Sequence, residues 1–185
     1  DCGGTDGNPA TNQDTTSRGP PNLRFKTADN ATIDNQDPIP IPASGNVDSF
    51  WKQIYLKCTG GTFTQIDNVK FYTDGSGFGT GVTVNVGTQL PTKNSGSDSG
   101  YEVAVGTTGT SGTEVVAGHA SVSAKSSAFG FTSGSPMTVS ISEAGNLINA
   151  TNETTDYLIF QMNVASTAGP GNLSDETWTY QYDEI

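Results

Sequence analysis

The side chains that usually carry chemistry are scarce in this chain. Its 185 residues hold one histidine, two cysteines and eight lysines and arginines. Nucleophilic catalysis by serine or cysteine needs a base, most often histidine, oriented by a third group. The sole histidine, His119, sits in Ala117-Gly118-His119-Ala120-Ser121, and no Gly-x-Ser-x-Gly elbow accompanies it. One histidine and two widely spaced cysteines also fall short of a zinc ligand set. The sequence reads as non-enzymatic. Positive charge is the second shortage: net charge is −11. Residues 94–185 carry ten acids against one base, Lys125. Nucleic-acid binding rests on Lys and Arg neutralising phosphates, so that role is excluded, and an anionic membrane surface would repel the chain. No apolar run approaches the ~20 residues that span a bilayer. Only 32% of residues are apolar, so the core must be thin.

What the chain has instead is 23 glycines, 44 serines and threonines, and short stretches in which apolar and polar residues alternate. Period-two alternation is the mark of strands that bury one face, and Gly/Ser/Thr/Asn clusters between them are turn chemistry. Phe50 to Cys58 places Phe50, Ile54, Leu56 and Cys58 on one face, interrupted by Lys52, with Trp51 and Tyr55 on the other. Thr62 to Thr73 carries Phe63, Val69 and Phe71, with a bulge expected near Asp67-Asn68. Gly81 to Val86 points Val82, Val84 and Val86 inward. Tyr157 to Val164 sets Leu158, Phe160, Met162 and Val164 against Tyr157, Ile159, Gln161 and Asn163. Thr177 to Tyr182 puts Trp178, Tyr180 and Tyr182 on a common face. Further strands are expected at Leu23–Thr27, Tyr101–Val105, Val115–Val122 and from Pro136, and a helical turn within Ser142–Asn149. Prolines at 38, 40 and 42 confine that segment to a sheet edge or a polyproline-like crossing. The fold class is therefore all-β: an antiparallel two-sheet sandwich, immunoglobulin-like or jelly-roll in strand order. Residues 1–22 form an extended arm of Gly, Asn, Thr and Pro, and residues 23–185 a single domain.

Several residues invite a functional reading. Aspartates in loops suit calcium, which takes oxygen ligands; Asp34 with Asp37, and Asp67 with Asp74, are the candidates, against the simpler reading that each makes an Asx-turn. Cys2 and Cys58 could close a disulfide, or Cys58 could be a free thiol on a core face. Paired carboxylates can hydrolyse glycosides, but the acids here, Asp156 among them, fall in turns or at outward strand positions and read as solvated surface. Asn30, Asn149, Asn152 and Asn172 each open an N-glycosylation triplet. Trp51, Tyr55, Trp178, Tyr180 and Tyr182 could stack on a sugar. Core packing or a subunit interface is the commoner fate of such aromatics, and the closing trio Trp178, Tyr180 and Tyr182 is the interface candidate.

Two stretches carry a resemblance. Phe71-Tyr72-Thr73-Asp74-Gly75 followed by Gly79-Thr80-Gly81-Val82, then Thr154-Thr155-Asp156-Tyr157, Ala168-Gly169-Pro170-Gly171-Asn172 and Thr177-Trp178-Thr179-Tyr180-Gln181-Tyr182-Asp183-Glu184, resemble β-rich virion surface proteins of tailed phages, of the capsid decoration kind. The ending is also similar to the last hairpin of immunoglobulin-like modules in secreted filaments. The resemblance implies a structural subunit on a virion surface or in the extracellular space, with its own copies or a major capsid protein as partners. A filament subunit assembled by strand donation from the arm, and a carbohydrate-binding module, are the alternatives.

Overall fold

An alternating stretch becomes a strand when one face finds apolar cover and its backbone finds a ladder. The computed structural model describes residues 5, 7–8, 24–29, 36–88, 100–101, 106–107, 111–112 and 126–185. Among them run β1 (Asn46–Asp48), β2 (Lys52–Ile54), β3 (Ile66–Thr73), β4 (Val82–Thr88), β5 (Gly106–Thr107), β6 (Ser111–Gly112), β7 (Ser126–Ser127), β8 (Met137–Thr138), β9 (Leu158–Ala165) and β10 (Trp178–Glu184). One sheet has the order β1–β9–β4–β7, with β2 also on β9; the other is β10–β3–β8; β5 and β6 form a small ribbon. Every ladder is antiparallel. The all-β two-sheet sandwich expected from the alternation is the fold the chain adopts.

β9 organises the first sheet. β4 pairs along its whole length, from Val82↔Val164 to Thr88↔Leu158. On its other side β1 and β2 lie end to end, and their register slips by one residue between Asp48↔Asn163 and Lys52↔Phe160. The stretch expected to be one long strand from Phe50 to Cys58 thus holds only β2 and an isolated bridge at Lys57↔Thr154, and β1 precedes it across a bulge. An extra residue flips every later side chain to the opposite face. Val47 therefore shares the face of its partner Val164, whereas beyond the bulge Trp51 and Gln53 turn away from that face. Ser49 holds the break together: its N–H donates to the Met162 carbonyl at 2.8 Å, and its Oγ accepts the Met162 N–H at 3.0 Å. Ser49→Ala should cost about 1–3 kcal/mol, because it strips the acceptor from a buried N–H. A urea denaturation series with Ser49→Thr as the conservative control checks this.

The inner core lies between the sheets. Val82, Val84 and Val86 from β4 and Leu158, Phe160, Met162 and Val164 from β9 meet Val69 and Phe71 from β3, all buried. Val139 and Ile141 join them from the segment after β8, and Lys52 is buried within the same face, as its place opposite Phe160 requires. The other face of β9 is buried as well. Tyr157 and Ile159 pack with Trp51 and Tyr101 in a second cluster, with Tyr55 edge-on to Tyr157 at 5.0 Å. Gln161 and Gln53, at 2% and 1% exposure, belong to this covered face, and Gln161 Nε2 donates to the Ser49 carbonyl at 2.8 Å.

Smaller features follow local chemistry. The expected helical turn is a short 3-10 turn at Ala144–Asn146, with Gly145 at φ 82°. The bulge expected near Asp67-Asn68 is present: the β3–β10 register shifts between Gln181 and Asp183, and Asn68 adopts φ 49°. Arg24–Thr27 joins no strand, contrary to expectation. Single backbone bonds tie it on two sides instead, from Phe50 N–H to the Lys26 carbonyl and from Thr27 N–H to the Asp37 carbonyl. The proline segment 38–42 likewise joins no sheet. Of the arm 1–22 only Thr5, Gly7 and Asn8 are described; Gly7 N–H donates to the Tyr101 carbonyl at 2.8 Å. The expected strand at 115–122, the rest of the strand from Tyr101, and Cys2, Asn30, Asp34 and His119 lie outside the described residues.

Candidate functional site: the open edge of β10

The interface trio falls on β10, whose Trp-Thr-Tyr-Gln-Tyr alternation suits a half-buried pleat. β3 flanks it on one side; no strand among the described residues flanks it on the other. Trp178 and Tyr180 point into the sandwich. The Trp178 ring lies 4.5 Å from Phe160, 5.9 Å from Phe71 and 6.2 Å from Phe25, and Tyr180 packs 5.6 Å from Phe71. Burial pushes the Tyr180 hydroxyl's pKa well above its usual range. The Trp178 Nε1 and Tyr180 hydroxyl are buried with no hydrogen-bond partner. Tyr182 shares their face but lies beyond the core and is 46% exposed. Two members of the trio therefore build the core, and one remains at the surface.

The direction of each backbone group on this edge follows from the ladder. Ile185 and Gln65 exchange both of their bonds. In an antiparallel pair such bonded positions alternate, so Asp183, Gln181 and Thr179 face β3. Trp178, Tyr180, Tyr182 and Glu184 turn their N–H and C=O groups outward, away from β3. The bulge does not disturb this parity, because its extra residue is on β3.

Charge gathers around the edge. Asp183 stands directly opposite Asp67, and each carboxylate is held by an amide: Asn68 Nδ2 donates to Asp183 at 2.9 Å and Gln65 Nε2 to Asp67 at 2.8 Å. Glu184 follows Asp183. At the other end burial raises the Glu176 pKa, and the nearby Asp74 charge adds to the rise.

Of the calcium candidates, Asp34 lies outside the described residues, and Asp67 and Asp74 are not brought together. Asp67 lies near the start of β3 and Asp74 just past its end, so seven residues of extended chain put roughly 23 Å between them. Asp74 makes the Asx-turn, accepting the Ser76 N–H at 2.8 Å. Asp37 anchors the 24–29 segment through its carbonyl and lies 3.8 Å from the Lys26 ammonium. Among the described residues no group of three or more His, Cys, Asp or Glu could hold a metal ion. Cys58 is a buried free thiol whose Sγ donates to the Gly60 carbonyl at 3.9 Å. Trp51, 2% exposed in the second cluster, has no ring face free for a sugar. Asn149, Asn152 and Asn172 are exposed.

One acid departs from the expected surface role. Asp156 is 4% exposed, on the approach to β9. Its Oδ2 accepts the Ser142 hydroxyl at 2.9 Å, while Oδ1 is buried without a partner. Burial raises its pKa, the Ser142 bonds oppose that rise, and the nearby Glu143 charge adds to it. The only sequence signal was its place between the hydroxyls of Thr154-Thr155 and an apolar strand. A carboxyl whose folded pKa is raised costs stability once ionised. That cost is absent below the ordinary Asp range near 4, grows as pH climbs towards the folded value and is constant above it. Asp156→Asn should therefore raise the urea midpoint at pH 7 relative to the parent, the gap closing near pH 3. A gap independent of pH would show that Asp156 ionisation is not its cause.

Comparison of the chain with protein-family models, curated proteins and solved structures finds no match.

Proposed function

We propose that this chain is a non-enzymatic structural protein, a virion surface subunit of capsid decoration or cement type, acting outside the cell through repeated protein–protein contacts. The observation that carries this reading is the open edge of β10, a seven-residue strand with backbone groups turned outward beside an exposed Tyr182. Such an edge recognises another polypeptide by backbone pairing. Weak contacts of this kind become effective when many copies sit on a symmetric lattice. The acidic, hydroxyl-rich composition suits a solvated outer surface that repels nucleic acid.

Purified protein added to phage shells that lack it should cosediment with them at stoichiometric copy number. Cryo-microscopy should then place its density on the shell exterior. Recovery of the chain solely as a free monomer, with shells unchanged, would defeat the proposal.

A further inference from the structure

We infer that the outer edge of β10 is the docking strand for an extended, lysine- or arginine-bearing segment of a partner protein, which adds to the β10–β3–β8 sheet as a fourth strand. This rests on the reading that the chain works through protein contacts, and it names the contact and the chemistry of the partner.

Backbone geometry fixes the class of occupant. Trp178, Tyr180, Tyr182 and Glu184 present alternate N–H and C=O groups to the outside. An extended polypeptide satisfies such a row at every second residue. Its side chains would then alternate between the Tyr180 and Tyr182 face and the Thr179, Gln181 and Asp183 face. Tyr182 and Ile185, at 46% and 67% exposure, supply apolar surface along and just beyond the strand.

Charge selects among extended segments. Asp183 and Glu184 lie at one end of the edge, and Asp175, Glu176 and Asp74 at the other. A second copy would pair antiparallel about Gln181 to use the full row. That register lays Asp183 and Glu184 of each copy against the acidic Trp178 end of its mate, which like-charge repulsion opposes. The chain's own arm is a poor occupant for the same reason, since residues 1–22 hold three aspartates and one arginine. A cationic strand meets carboxylates at both ends. The acids keep the edge from pairing with the chain's own kind and attract a basic partner.

The test uses an array of nine-residue peptides with the sequence Lys-Val-Thr-Val-Lys-Val-Thr-Val-Lys and its Ile, Tyr and Thr replacements at the valines, each matched by a glutamate-for-lysine control. Labelled full-length protein should be retained by lysine peptides about tenfold more than by their controls, with retention falling as salt rises. Tyr182→Pro removes an outward N–H without touching the β3 ladder, and should abolish retention while near-UV circular dichroism is unchanged. Asp183→Lys separates binding from folding. It replaces a like-charge pair with Asp67 by an attractive one, so it should raise the urea midpoint while weakening retention. Three outcomes overturn the inference: no lysine peptide is retained, Tyr182→Pro binds as well as the parent, or the edge pairs with a second copy in size-exclusion runs. A chain that binds shells yet retains no peptide sinks the docking strand and leaves the structural role standing. One that retains peptides yet never binds shells does the reverse.

Discussion

Phe160→Ala is expected to remove about 3–5 kcal/mol of stability, the range for emptying a large aromatic site in a packed interior. Phe160 is wholly buried at the centre of β9, between Lys52 of β2 and Val86 of β4. Its ring is 5.2 Å from Phe71 and 4.5 Å from Trp178, so it joins the two sheets across the sandwich. The cavity left by alanine is walled by strands fixed in register on both sides, and partial collapse is all that close packing permits. Domains of this size are stable by about 5–15 kcal/mol, so the variant loses a large share of its margin. Urea unfolding should show a lower midpoint at unchanged slope. Ile159→Ala, one residue away on the opposite face of β9, reports on the second cluster and should cost about 2–5 kcal/mol. A loss below about 1 kcal/mol for Phe160→Ala would mean that the sheets are not joined through this ring.

These two adjacent residues also show what the sequence could and could not reveal. Alternation assigned Leu158, Phe160, Met162 and Val164 to one face of β9, and all four are in the inner core. The bulge at Asp67-Asn68 was legible because two polar turn-forming residues interrupt a strand, and Asn tolerates positive φ. That the opposite face of β9 is buried too was not legible. Its packing partners include Trp51 and Tyr101, which are distant in sequence. Periodicity reports which residues share a face and is silent on what lies over it. β1 and its bulge to β2 escaped for a related reason: the expected strand begins at Phe50, and Ser49 takes a ladder position with its hydroxyl that no local signal marks. The sequence marks Asp67 and Asp74 as loop aspartates able to share an ion, yet Asp67 lies within β3 and Asp74 just past its far end. The edge at β10 depends on strand order, which no property of residues 178–184 alone encodes.

The second large effect concerns a residue with no side chain. Gly81→Ala is expected to destabilise by about 2–5 kcal/mol, from two separable causes. Gly81 has φ +77°, where an L side chain is strained by about 1–3 kcal/mol. A Cβ there would also stand 2.4 Å from the Ala168 nitrogen and 2.8 Å from both Ala168 Cα and Thr167 C. Those are backbone atoms and no rotamer change can clear them. The turn they belong to closes the end of β9, where the Ala168 N–H donates to the Ala165 carbonyl at 3.0 Å and the Ala165 N–H to the Gly81 carbonyl at 2.7 Å. Moving it pulls on the Val82↔Val164 pair that starts the β4–β9 ladder, so the damage extends beyond the site. Gly169→Ala, in the same turn, is the control: nothing lies within 4 Å of its added Cβ and its φ is not positive. That variant should be neutral or more stable by about 0.4–1 kcal/mol, through the unfolded chain alone. Equal midpoints for the two variants would show that the turn yields at Gly81, and that close approach does not hold the β9 end in place.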